Sequence, residues 1–69
     1  MDIDLANLLG RLNRKGFVPV KIIQGTHQNG FVGKDGKLVE YKSDMTSKFG
    51  VVVDNELCWF MEDEIEVLK

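Results

Sequence analysis

Apolar and polar positions along the chain change period once, near residue 17, and that change divides it into two textures. Leu5, Leu8, Leu9 and Leu12 recur at the i, i+3, i+4, i+7 spacing of one helical face. The flanking residues agree with a helix over 4–15. Asp4 can cap the N-terminus, and Ile3 and Leu8 stand at the two positions of a hydrophobic staple. Arg14 and Lys15 suit the negative C-terminal end, and Gly16 can close the helix in the left-handed conformation. Gly10 costs about 1 kcal/mol relative to alanine, so the helix needs packing, and its leucine stripe is expected to lie across an open end or edge of the remaining fold.

From Phe17 onward the chain reads as short β-rich runs broken by turn residues. Strands are expected over 18–24, 30–33, 37–42, 50–54, 56–61 and 65–68. This is the pattern of a mainly β fold, a small barrel of five to six strands behind an N-terminal amphipathic helix, in a single domain spanning 1–69 with the barrel at 18–68. Asn29-Gly30 and Asp35-Gly36 are strong turn dipeptides, and Asp54-Asn55 is a weaker one. Pro19 has no amide donor and belongs at the start or edge of the first strand. Residues 43–48 read as the one long loop. Alternation in the apolar run 57–61 places Leu57, Trp59 and Met61 inward. Cys58 and Phe60 then lie on the opposite face, under the leucine stripe.

Two stretches carry a resemblance. The run from Val20 to Gly33 (Val-Lys-Ile-Ile-Gln-Gly-Thr-His-Gln-Asn-Gly-Phe-Val-Gly) resembles the opening of a KOW-type or related SH3-like (Src-homology-3-like) barrel. The run Gly50 to Phe60, followed by Glu62 to Leu68, looks like the last hairpin of such barrels, where a short helical turn leads into a closing strand. The ending is similar to those of small bacterial and phage proteins of unknown function. The resemblance covers roughly residues 18 to 68. It implies a non-enzymatic binding module, with a phage- or prophage-type regulator of a host protein among the roles open to it. The acidic-aromatic peptide-binding motif of eukaryotic signalling domains is absent, and basic loops are sparse. Fold alone does not choose a function.

Composition adds bounds. With 69 residues, 43% apolar and 29% charged, the chain has the balance of one globular domain, folding alone or with a copy of itself as a homodimer. No apolar run nears the roughly 18 residues that cross a bilayer, and the N-terminus lacks the basic start of a secretory signal. No membrane association and a cytoplasmic location are therefore expected.

The net charge of −2 conceals a segregation. Residues 5–34 carry Arg11, Arg14, Lys15, Lys21 and Lys34 without an acid, whereas residues 49–69 carry Asp54, Glu56, Glu62, Asp63, Glu64 and Glu66 against Lys69. Two candidate faces emerge. The basic segment 11–34 can meet phosphates, with Phe31, Tyr41 or Trp59 available for base stacking, although a pI of 5.2 is low for a nucleic-acid-binding domain. The acidic residues Glu62, Asp63, Glu64 and Glu66 can meet a basic protein surface, and Leu9, Phe49 and Phe60 are candidate apolar contacts. A protein partner is the first expectation and nucleic acid the alternative. If the two segments meet in space, their charges neutralise each other.

Catalytic chemistry is poorly supplied. One histidine, one cysteine and no glycine-rich phosphate loop do not assemble an active site, a zinc set or a cofactor cradle. No enzyme and no cofactor are expected. His27 reads as a solvated loop residue and Cys58 as an inert core thiol.

Overall fold

The computed structural model describes residues 4–25 and 29–68. Helix α1 spans Leu5–Lys15. Asp4 Oδ1 accepts from the Asn7 amide at 3.3 Å, and Gly16, at φ 82°, donates its amide to the Leu12 carbonyl at 2.8 Å. The two ends are thus capped by the residues the sequence marks, and Ile3 of the staple lies outside the described residues. The buried stripe is narrower than the leucine spacing implies. Leu8 is buried and Leu12 packs half-buried on the core, but Leu9 is half-buried and Leu5 is exposed. The helix lies against β1 and β2.

Five strands complete the fold: β1 Val18–Ile22, β2 Asp35–Tyr41, β3 Phe49–Val53, β4 Glu56–Phe60 and β5 Ile65–Val67. They form one antiparallel sheet in the order β4-β3-β2-β1-β5. The sheet is open, with β4 and β5 as its edges, and the chain is mainly β behind its N-terminal helix, as the sequence leads one to expect. In β1, Val18, Val20 and Ile22 are fully buried while Lys21 is exposed, which is the period-2 signature of a strand with one face in the core. Pro19 sits near the start of β1. Its carbonyl accepts from Leu68 at 2.9 Å, so its missing donor faces the end of the β5 ladder and interrupts no pairing.

Two expected features are replaced. Residues 30–33 are not a strand. Asn29–Phe31 form a 3₁₀ turn and Gly33 takes φ 90°, so the chain folds straight back and Gly33 donates to the Ile22 carbonyl at 2.8 Å. Two apolar residues between glycines are too few to hold a separate strand. Asp35-Gly36, expected as a turn, lies inside β2. A Cβ on Gly36 would stand 2.6 Å from Val51 Cγ1 and 2.9 Å from the Val52 carbonyl oxygen, so this glycine serves close approach of β3 and not reversal of the chain.

Asp54 and Asn55 both have positive φ, 53° and 64°, and make the two-residue turn whose twist suits a hairpin. That turn fixes the register. Val51 lies opposite Cys58 and Phe49 opposite Phe60, and directly opposed residues share a face. Cys58 and Phe60 therefore point into the core, where they pack with Leu8 and Leu12 of the helix stripe as the sequence leads one to expect, while Leu57 and Trp59, expected inward, point out. Leu57 is 49% exposed and Phe60 1%. Trp59 stands opposite Gly50, where a Cβ would meet its ring at 3.0 Å, and Lys42 Nζ lies 5.6 Å from the ring centroid. The core gathers Leu8, Val18, Val20, Ile22, Leu38, Phe49, Val51, Phe60 and Ile65.

Candidate functional site

The acidic stretch after β4 is a second 3₁₀ turn, Glu62–Glu64, and it divides the four candidate carboxylates into two kinds. Glu64 is 3% exposed. Its Oε1 accepts from the Met61 amide at 2.7 Å, its own amide donates to the Met61 carbonyl at 3.0 Å, and its carbonyl accepts from Ile23 at 2.9 Å and Gln24 at 3.2 Å. This reciprocal pairing has the form of a capping box. Glu64 thus belongs to the framework, not to an acidic surface, because its carboxylate is committed to the turn that feeds β5. Glu62, Asp63 and Glu66 remain exposed.

Glu64→Ala removes the acceptor of a partly buried amide and is expected to cost about 1–3 kcal/mol, whereas Glu64→Gln keeps an acceptor oxygen and recovers most of that loss. Urea midpoints of the two variants measure the difference. Equal midpoints would remove the capping role.

Between α1, the acidic turn and β5 lies a groove of about 410 Å³. Half-buried Val67 supplies apolar lining, and the core residues Leu8 and Ile65 form the floor beneath it. Glu62, Asp63 and Glu66 line it from the sheet side, and Asp4 and Asn7 from the first turn of the helix. Ile23, just past β1 and 40% exposed, adds an apolar residue together with Gln24. Arg11 also lines the groove, half-buried, and its Nη2 donates to the Leu68 carbonyl at 3.3 Å. That bond ties the helix to the end of β5. One guanidinium against four carboxylates leaves the groove with an excess of negative charge. A second hollow of about 430 Å³ includes Phe17, Pro19 and Leu68, with Lys37 Nζ 5.1 Å from the Phe17 ring centroid.

The basic residues are distributed among acids. Lys34 forms an ion pair with Asp54, an exposed contact of the kind that contributes at most about 1 kcal/mol. In the sheet register Lys21 stands between Asp35 on one side and Glu66 on the other. Arg14 and Lys15 are exposed in the last turn of α1. The two oppositely charged segments therefore meet in space at several positions.

The stacking candidates are similarly engaged. Tyr41 packs at 5.2 Å on Phe49, Phe31 is half-buried with Lys34 Nζ 5.9 Å from its centroid, and Trp59 covers Gly50. Phe49 and Phe60, candidates for an apolar contact, are 2% and 1% exposed. They are core residues and offer no surface. Ile23, the apolar side chain at the groove, comes directly after Ile22 in the sequence, and its only signal is that alternation turns it outward once Ile22 is turned in.

His27 lies outside the described residues. Among those described, no group of three or more histidine, cysteine or acidic residues is placed to hold a metal ion, and no helix is long and apolar enough to cross a membrane. Burial pushes the Cys58 thiol up from its ordinary value, and the neighbouring Glu56 carboxylate pushes it the same way. A raised thiol pKa lowers the thiolate fraction near neutral pH. Alkylation of Cys58 at pH 8 is therefore expected to be slower in the folded protein than in urea-unfolded chain, as mass spectrometry over a time course would record. Equal rates would show an accessible, unshifted thiol.

Protein-family models, curated proteins and solved structures were all compared with the chain, and none matches it.

Proposed function

We propose that this protein is a non-enzymatic binding module that docks a protein partner in the groove between α1, the Glu62–Glu64 turn and β5. The observation that carries the reading is the combination in one concave site of an apolar lining and an excess of exposed carboxylates. Apolar lining supplies the area that a contact must remove from water, and charged rims set orientation and partner choice. The sheet itself we read as a small SH3-like barrel. Its support is the return of β5 to pair with β1, which brings the last strand back to the first, and the 3₁₀ turn that feeds it, the ending the resemblance leads one to expect.

The nucleic-acid alternative, built on segment 11–34, has less behind it. Phosphate binding draws on a contiguous basic face, and here Lys34 is paired with Asp54 while Lys21 stands between two acids in register.

The test compares immobilised wild type with the double variant Glu62→Lys, Asp63→Lys. Each is exposed to extract of the native host at near-physiological salt, with and without nuclease. The expected result is a protein retained by wild type after nuclease and lost by the variant. Retention that vanishes with nuclease would favour nucleic acid, and equal retention by both proteins would reject the groove.

A further inference from the structure

We infer that the occupant of this groove is a basic amphipathic segment of the partner, one that sets an apolar side chain on exposed Ile23 and half-buried Val67 and carries lysine or arginine against Glu62, Asp63 and Glu66. This rests on the groove being the docking site and adds the chemistry of what docks there. Complementarity supports it in both respects. An acidic peptide is repelled by four carboxylates and gains one guanidinium, and that guanidinium already donates to the Leu68 carbonyl. A neutral apolar peptide satisfies the lining but leaves the excess of carboxylates over Arg11 uncompensated, a loss that grows as water is excluded. A purely cationic ligand has the opposite fault, since it leaves Ile23, 40% exposed beside the groove, without an apolar partner.

Position strengthens the case. Glu62 and Asp63 lie, exposed, in a turn that the Glu64 carboxylate holds through the Met61 amide. Their carboxylates can thus point at a ligand without unmaking the fold. Glu66, exposed on edge strand β5, and its half-buried neighbour Val67 both line the groove, so the edge of the sheet brings an acid and an apolar residue to one site. A segment that binds there needs basic and apolar side chains within a few residues of each other.

The probe is a short fluorescein-labelled peptide of alternating arginine and leucine, compared with one carrying glutamate for arginine and one carrying serine for leucine. Binding to the full chain is read by fluorescence anisotropy, and location by amide shifts in ¹⁵N-labelled protein. The expected result is binding of the arginine-leucine peptide alone, with shifts at Leu8, Ile23, Ile65 and Val67. Binding should weaken roughly tenfold, an effect of about 1.4 kcal/mol, in Glu62→Gln, Asp63→Asn, and fall further as salt rises.

Each other outcome overturns a definite part. Shifts at the groove with the glutamate peptide would keep the groove as the docking site and reject a basic occupant. Equal binding of the serine peptide would reduce the site to attraction of cations and reject the amphipathic segment. Shifts elsewhere, or no binding by any of the three, would reject both the occupant and the groove. Ile23→Ser provides a second variant outside the acidic turn, expected to weaken the arginine-leucine peptide several-fold while the protein stays folded, with its urea midpoint little changed from wild type.

Discussion

Phe60→Ala is expected to lower the stability by about 3–5 kcal/mol, whereas Leu57→Ala, three positions away on the same strand, is expected to change it by less than about 1 kcal/mol. The contrast arises from which way β4 faces. Phe60 is 1% exposed and sits in the cluster with Phe49, Val51 and Leu8, and emptying such a site costs about 3–5 kcal/mol in lost transfer energy and residual cavity. A domain of this length has a total stability of roughly 3–10 kcal/mol, so the loss is a large share of it. Leu57 is 49% exposed and has little burial to lose. Urea unfolding followed by Trp59 fluorescence measures both. A stable Phe60→Ala beside an unfolded Leu57→Ala would mean that the register set by Asp54 and Asn55 is wrong by one residue, since a single slip exchanges the two faces.

Gly36→Ala is expected to destabilise by about 1–3 kcal/mol, the usual cost of overpacking a full site. Gly50→Ala should cost less than that. Both glycines lie in strands, and in both an added methyl group reduces the freedom of the unfolded chain, a stabilising contribution of about 0.4–1 kcal/mol. What differs is the neighbour. At Gly36 the new carbon would stand 2.6 Å from Val51 Cγ1 and 2.9 Å from the Val52 carbonyl oxygen, and a backbone atom of the central ladder does not yield. At Gly50 it would meet the far edge of the Trp59 ring at 3.0 and 3.1 Å and Glu40 Cβ at 3.3 Å, contacts with side chains that need shift by only a few tenths of an ångström. Thermal midpoints of the two variants decide it. Equal destabilisation would show that Trp59 is held as firmly as the backbone.

The features legible in the sequence are those that local chemistry sets. Helix α1 is readable because spacing, N-cap and C-cap all act within a few residues of one another. Four of the five strands fall where β-branched and aromatic runs lie between turn residues, and β5 is readable as a short closing strand. The facing of β4 is not readable. Residues 57–61 are all apolar, so alternation carries no information there, and the decision passes to a turn whose register only the paired strand reveals. Asp35-Gly36 misleads for a related reason: glycine serves a tight turn and a close approach equally well, and the dipeptide does not say which. Glu64 looks like its neighbours because burial of one acid in four depends on how the 3₁₀ turn sits against Ile23 and Gln24. Its one local sign is the spacing of Met61 and Glu64. The groove is the least legible feature, since Leu8, Ile23 and Ile65 come from three separate elements and meet only when β5 returns to β1.

That return also sets an order of assembly. The β3–β4 hairpin is closed by a two-residue turn and can form from its own local contacts, but β5 must find β1 across much of the length of the chain, and such distant pairing carries the larger loop-closure cost. Edge strand β5 spans only Ile65–Val67, with Arg11 and Glu64 among its polar ties to the rest. It is the part of the sheet most ready to open on its own, and the groove opens with it. A ligand seated between α1 and β5 would therefore act as a clasp on the least secure seam of the molecule, and its affinity would be read in part as slower exchange of the β5 amides.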